Sequence, residues 1–327
     1  MRKISELICQ SRKRADCAEG EELLSGQEYI NKADGFKVNV LAMGDVGGTL
    51  VMGLRLLGGE AVADIGIYDL NEKLLRRYER EINQIGYPDR RSMPKIEILT
   101  EDKLFECDVF VFCASLGVPP VGAAGDVRMA QLDANKKLVS QYAAKAVAEQ
   151  FTGIFAVVSD PVDPLCRAAV RRGLGFTQVQ GFGLGVMNAR AAYYADRDNR
   201  FAAYKDEGRA YGPHGEDLVI ADSITSYNDE LSRELTELTV KSNLETRADG
   251  FKPYIAPALS SGAISILQML RKEWNYSSVF LGDENSGAFL GCRNRRAEAG
   301  SIIIENRELD ERLFERIKNA YDNLCVL

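Results

Sequence analysis

Between Lys37 and Gly181 short apolar runs alternate with stretches of helical length, and this alternation constrains the fold more than any other feature of the chain. Residues 38–43, 62–68, 96–99, 108–114, 154–158 and 177–181 read as strands; residues 49–57, 71–85 and 129–150 read as helices. The third helix sets Leu132, Val139, Ala143 and Val147 toward a core at near-helical spacing. Strands that alternate with helices predict a parallel sheet covered on both faces. After Gly181 the pattern changes. Helices are expected at 186–204, 229–243, 258–270 and 308–324, with antiparallel strands at 280–290 and 300–304. The predicted fold is therefore α/β: a doubly wound parallel sheet over 36–180, followed by an α+β domain over 181–327. Residues 1–35 read as an extension with short helices at 6–14 and 21–30, either a frayed tail or an arm for another subunit.

The link from the first strand to the first helix reads Ala42-Met43-Gly44-Asp45-Val46-Gly47. A dinucleotide needs such a turn, because its backbone must approach the pyrophosphate closely and a helix N-terminus attracts the negative charge. Gly44, Asp45, Val46 and Gly47 are the residues expected to line it, with alanine in place of the first glycine of the G-x-G-x-x-G pattern. The second strand ends at Asp69. A carboxylate there accepts from both ribose hydroxyls of an adenosine and repels a 2′-phosphate, which favours NAD over NADP.

The chain has one histidine, His214, set in the polar run Tyr211-Gly212-Pro213-His214-Gly215-Glu216-Asp217. Imidazole is the side chain best suited to give and take protons near neutrality. With a single histidine and no Cys-x-x-Cys spacing, no zinc site is expected. The net charge of −7 gives no electrostatic support to a nucleic-acid partner. No apolar run approaches the length needed to span a bilayer, and the N-terminus lacks the apolar stretch of a signal peptide. Seven cysteines without paired spacing read as reduced thiols of a cytoplasmic protein.

Taken in order, the turn, Asp69 and the histidine segment resemble the lactate/malate dehydrogenase family from about residue 37 to the C-terminus. Asp126-Val127-Arg128, followed by Asn135, resembles the family's mobile loop and the helix behind it. Ser159-Asp160-Pro161-Val162-Asp163 resembles its Asn-Pro-Val-Asp element. Arg190 falls at its carboxylate-gripping arginine, and Gly212-Pro213-His214-Gly215 matches its Gly-x-His-Gly. The resemblance implies that Arg190 holds a substrate carboxylate, that His214 moves the hydroxyl proton, and that Arg128 stabilises charge on the reacting oxygen. It places Asp160 beside substrate. Asn135 is expected beside the cofactor NAD, as are Ala114 and Val158 at the ends of the fourth and fifth strands. It also implies a Rossmann cofactor domain followed by a catalytic domain, and a homodimer or homotetramer.

Two positions depart from the family. Its histidine is oriented by an aspartate three residues before the clamp arginine, and here that position is Met187, which accepts no strong hydrogen bond. Where the family has asparagine, this chain has Asp160. The two changes suggest a transfer: Asp160 supplies the carboxylate missing at Met187. The loop 115–127 is longer than usual and carries no arginine before Arg128, which argues against malate. The expected function is interconversion of a 2-hydroxy acid and its 2-oxo acid. A malate dehydrogenase-like activity and a catalytically impaired NAD-binding protein with a regulatory role are the alternatives. A NAD-dependent glycosidase is disfavoured by the lack of metal ligands.

Overall fold

The computed structural model describes residues 1–8, 19–24, 34–89, 92–116, 127–283, 286–297 and 301–327, with side chains 127–131 outside that set. After a 3₁₀ turn at Ile4–Leu7 the elements run β1 (Glu21–Leu24), β2 (Phe36–Leu41), α1 (Asp45–Leu57), β3 (Val62–Tyr68), α2 (Glu72–Asn83), β4 (Lys95–Ile98) and β5 (Val109–Phe112). Next come α3 (Val127–Ala148), β6 (Ile154–Val157), α4 (Val162–Val170), β7 (Val179–Gly181), α5 (Leu184–Ala195), α6 (Tyr204–Glu207), β8 (Arg209–Tyr211) and β9 (Val219–Ala221). The chain closes with α7 (Asp229–Ala248), a π-helical segment (Pro257–Ile264), α8 (Ser265–Leu270), β10 (Asn275–Gly282), β11 (Gly287–Arg296), β12 (Ile302–Glu305) and α9 (Glu311–Val326).

Ten strands form one sheet in the order β1-β12-β11-β10-β7-β6-β5-β2-β3-β4. From β4 to β7 every pairing is parallel. Counted from β2, this is the doubly wound order, which reverses between β2 and β5 and opens a crevice at their carboxyl ends. The inner strands β5 and β6 are apolar and buried at every residue because both faces are covered, whereas the edge strand β4 is largely exposed. On β5, Val109 and Val111 enter the core under α1, whereas Phe110 and Phe112 enter the core under α3 and α4. At β7 the sheet changes character, since β10 pairs with it antiparallel and β11, β12 and β1 follow antiparallel. A buried polar network closes that seam. The Gln180 amide donates to Ser277 Oγ at 2.8 Å and Arg296 donates back to Gln180 Oε1 at 3.0 Å.

Several expectations need correction. Residues 21–24 form strand β1, not a helix. Leu24 is buried and Glu21 pairs with Arg295, so edge pairing to β12 overrides the local helix propensity. The described part of the N-terminal extension is not a frayed tail. Ile4 and Leu24 are buried in the core beneath α9 of the same chain, and Ser5 exchanges hydrogen bonds with Asn306. Of the helix expected at 6–14, residues 9–14 lie outside the described residues.

The long helix expected over 186–204 stops at Ala195. Asp198 then caps a separate 3₁₀ turn, accepting from the Arg200 N–H, and such side chains compete with the helix ladder. The strand expected at 280–290 is two strands that turn at Asp283, whose carboxylate accepts from Ser286 N. Val147 is 40% exposed and does not belong to the core face formed by Leu132, Val139 and Ala143. Helix α1 starts at Asp45 rather than at residue 49, so its N-terminus opens directly on the turn.

Candidate active site

The dinucleotide turn sits at the reversal of strand order, where β2 runs into α1. Ala42 holds φ +73°, the left-handed region in which a Cβ costs about 1 kcal/mol. Ala42→Gly is therefore expected to stabilise the protein by roughly 1 kcal/mol in urea denaturation, and a loss of stability would show that the turn differs. At Gly47 a Cβ would lie 1.9 Å from the Ala42 carbonyl oxygen, so no other residue fits. At Gly44, the N-cap of α1, a Cβ would meet no atom of the described residues within 4 Å. That open cradle fits a pyrophosphate. Asp69 braces the turn: its Oδ2 accepts from Met43 N at 2.7 Å and its Oδ1 from Asn71 N at 2.8 Å. Each carboxylate oxygen retains a further lone pair for a ribose hydroxyl.

Beyond the turn, the crevice floor is built by β5 and β6. Val158 is buried in the core under α1, and its N–H donates to the Phe112 carbonyl. The Ala114 carbonyl accepts from Ser159 Oγ at 2.7 Å. Asn135 is buried on α3, donating to the Asp160 carbonyl at 2.9 Å and accepting from Leu116 N at 2.8 Å. It thus ties the loop after β5 to the loop after β6. Arg128 has its backbone in the first turn of α3. Its side chain and residues 117–126, including Asp126 and the rest of the expected lid, lie outside the described residues.

The hairpin β8–β9 carries the histidine segment at its tip. Gly212, at φ +90°, donates its N–H to the Gly291 carbonyl at 2.9 Å, and Asn323 of α9 donates to Asp217 at 3.2 Å. Gly183 lets the hairpin come close, because a Cβ there would lie 3.2 Å from His214 Cβ. His214 is 16% exposed, and its Nδ1 lies 3.1 Å from Asp160 Oδ1. A carboxylate only accepts, so the pair requires the proton on Nδ1 and leaves the Nε2 lone pair free. Met187, where the resemblance leads one to expect a carboxylate, is 2% exposed within the apolar cluster of α5 and α7.

Arg190 projects from α5, three residues beyond Met187. Its Nη1 contacts Met187 Sδ at 3.6 Å, and among the described residues it forms no ion pair. Burial lowers its pKa from the usual guanidinium value, while the charge on Asp160 opposes the shift. The group stays cationic in any case. A half-buried guanidinium with no carboxylate partner is a site for an anion. The helix that carries it is positioned by Ser261 of the π-helical segment, which accepts from Val186 N at 2.8 Å and donates to the Gly183 carbonyl at 2.7 Å. No sequence signal pointed to Ser261.

Asp163, in the first turn of α4, is a second carboxyl near His214 and is 3% exposed. Burial pushes it up to about 7, against a hydrogen bond with Ser278 and the nearby His214. Its Oδ1 has no hydrogen-bond partner. Because the folded pKa is raised, the folded state keeps a proton that the unfolded chain loses near 3.8. Its stabilising contribution is therefore complete below that value and disappears as pH rises toward 7. Asp163→Asn should match wild type near pH 4 and exceed it by on the order of 2–4 kcal/mol near pH 8, read by urea denaturation. An equal difference at both pH values would contradict the assignment. Among the described residues no group of three or more histidine, cysteine or acidic side chains could hold a metal ion.

No family model matches the chain. It is 29% identical over 208 residues to an L-lactate dehydrogenase of Corynebacterium glutamicum, a match that spans 62% of each chain. In fold it is similar to a lactate dehydrogenase from a Medee basin deep-sea metagenome, with a TM-score of 0.73 at 18% identity over 89% of this chain and 97% of the other. It is similar also to a malate dehydrogenase from Archaeoglobus fulgidus in complex with NADH, with a TM-score of 0.72 at 18% identity over 88% and 97%. The chain is thus similar in sequence to lactate and malate dehydrogenases and has the fold of their solved structures.

Proposed function

We propose that this protein is an NAD-dependent dehydrogenase that interconverts a 2-hydroxy acid and its 2-oxo acid, with a substrate other than malate. Residues 36–180 hold the dinucleotide, through Gly44 to Gly47, Asp69, Ala114, Asn135 and Val158, and residues 181–327 supply the substrate side. The observation that carries the reading is Arg190, a half-buried guanidinium without an acidic partner among the described residues, within electrostatic reach of an Asp160–His214 pair. The open cradle at Gly44 and the NADH bound to the Archaeoglobus fulgidus malate dehydrogenase support the cofactor.

The Gly44–Gly47 turn and Asp69 would hold NAD, which would supply the hydride chemistry. Arg190 grips the substrate carboxylate through two parallel N–H bonds and fixes the reacting carbon. His214 Nε2 takes the hydroxyl proton during oxidation and returns it during reduction. Asp160 holds the imidazole through Nδ1 and stabilises the imidazolium as it forms. Arg128 stabilises negative charge on the substrate oxygen.

NADH oxidation across a panel of 2-oxo acids tests this reading. Turnover of a monocarboxylic 2-oxo acid, with oxaloacetate a poor substrate, is the expected result. NADH binding without turnover on any of them favours the regulatory alternative, for which the loss of a carboxylate at Met187 is the supporting observation. We also infer a homodimer or homotetramer in the cytoplasm. Leu56 and Leu57 on α1, Ile264 of the π-helical segment packed on it, and Phe251 and Ile255 before that segment are exposed apolar side chains available to a second copy. Light scattering of the purified protein reads the mass directly.

A further inference from the structure

The dinucleotide turn is acidic for a site that receives a pyrophosphate. Asp45 occupies the first position of α1 and Asp69 lies under Met43, so two carboxylates flank the cradle at Gly44. Among the described residues, a cation reaches this turn from the other half of the chain. Lys252, between α7 and the π-helical segment, places Nζ 3.2 Å from Asp45 Oδ2. The Lys252 backbone is held in a turn, with Tyr254 N donating to its carbonyl at 3.0 Å. Both side chains are open to solvent, Lys252 at 72% and Asp45 at 51%. As an isolated surface pair this contact contributes little to stability. Its position beside the cradle, where a Cβ on Gly44 would meet no atom of the described residues, gives it another use.

We propose that Lys252 is a cofactor-binding residue, a cation delivered from the C-terminal half of the chain to the dinucleotide pyrophosphate at the Gly44 turn. The inference rests on the dinucleotide reading given above. In the free protein Asp45 holds the ammonium near the turn. When a pyrophosphate occupies the cradle, the ammonium turns from one anion to the other, as a compact charge on a flexible stem can. The contact also joins the strand-order crevice to the segment that positions α5, so cofactor binding and the substrate arginine share one clamp.

The test is NADH titration of the full chain by calorimetry, for wild type, Lys252→Gln, Lys252→Arg, Asp45→Asn and the Asp45→Asn/Lys252→Gln pair. Lys252→Gln is expected to raise the NADH dissociation constant about five- to tenfold at low salt, and less at high salt. Lys252→Arg should stay near wild type, and Asp45→Asn should bind more tightly. The double variant separates direct from indirect action. If Lys252 meets the pyrophosphate itself, removing it weakens NADH binding in the Asp45→Asn background too. The proposal is overturned if Lys252→Gln has no effect there, which would make the lysine a mere neutraliser of Asp45, or if it has no effect in either background. Absence of NADH binding by the wild-type protein overturns the dinucleotide reading itself, and this inference with it.

Discussion

Asp160→Asn should lower kcat for 2-oxo acid reduction by roughly 10²–10⁴ while leaving NADH affinity unchanged. The carboxylate lies 3.1 Å from His214 Nδ1, and Met187, where a family member would carry the orienting aspartate, offers only a thioether. An asparagine can turn its NH₂ toward Nδ1. The proton then moves to Nε2, the nitrogen that must be free to accept from the substrate hydroxyl. The imidazolium also loses its counter-charge. The dinucleotide turn is a separate element, which is why cofactor binding should not change. A partial return of activity on adding Met187→Asp to Asp160→Asn would show that the carboxylate has moved within the site. Unchanged kcat in Asp160→Asn would mean that the contact is incidental.

Arg190→Gln should reduce kcat/KM by roughly 10²–10³, equivalent to about 3–4 kcal/mol, because it removes one side of a partly desolvated charge pair. The structure supplies no replacement among the described residues, since Arg190 reaches only Met187 Sδ at 3.6 Å. A neutral probe separates this role from a structural one. A 2-oxo amide, which lacks the carboxylate, should be reduced equally well by wild type and variant. Equal losses on acid and amide would point instead to damage to α5.

The parallel half of the fold was legible because its inner strands are buried on both faces. The runs that became β2, β3, β5 and β6 are apolar enough to be read directly, and only their ends shifted. The N-terminal extension and the second half were less legible, since local pattern did not decide their elements. Residues 21–24 became a strand by pairing with β12, the helix after Ala195 was broken by polar side chains, and Asp283 with its neighbours turned one expected strand into two.

In the site, Asp160, Arg190 and His214 were singled out from residue type and order, and the fold brings the carboxylate and imidazole into contact across 54 residues of sequence. What sequence could not supply was direction. That Asp163 points into the core, that Ser261 holds α5 and that Lys252 reaches Asp45 depend on packing between distant segments. For Asp163 a signal existed in its place within the Ser-Asp-Pro-Val-Asp run, three residues after Asp160. For Lys252 there was none, because an exposed lysine between two helices is indistinguishable from any solvated charge.

The central claim, that Asp160 orients the catalytic imidazole in place of a carboxylate at position 187, can be read on one side chain. The chain has a single histidine, so its ring gives one pair of ¹⁵N resonances free of overlap. The account predicts that neutral His214 carries its proton on Nδ1 in the wild-type protein, and that Asp160→Asn shifts the population toward the Nε2–H form. A wild-type ring protonated on Nε2, or a spectrum unchanged by Asp160→Asn, would contradict it.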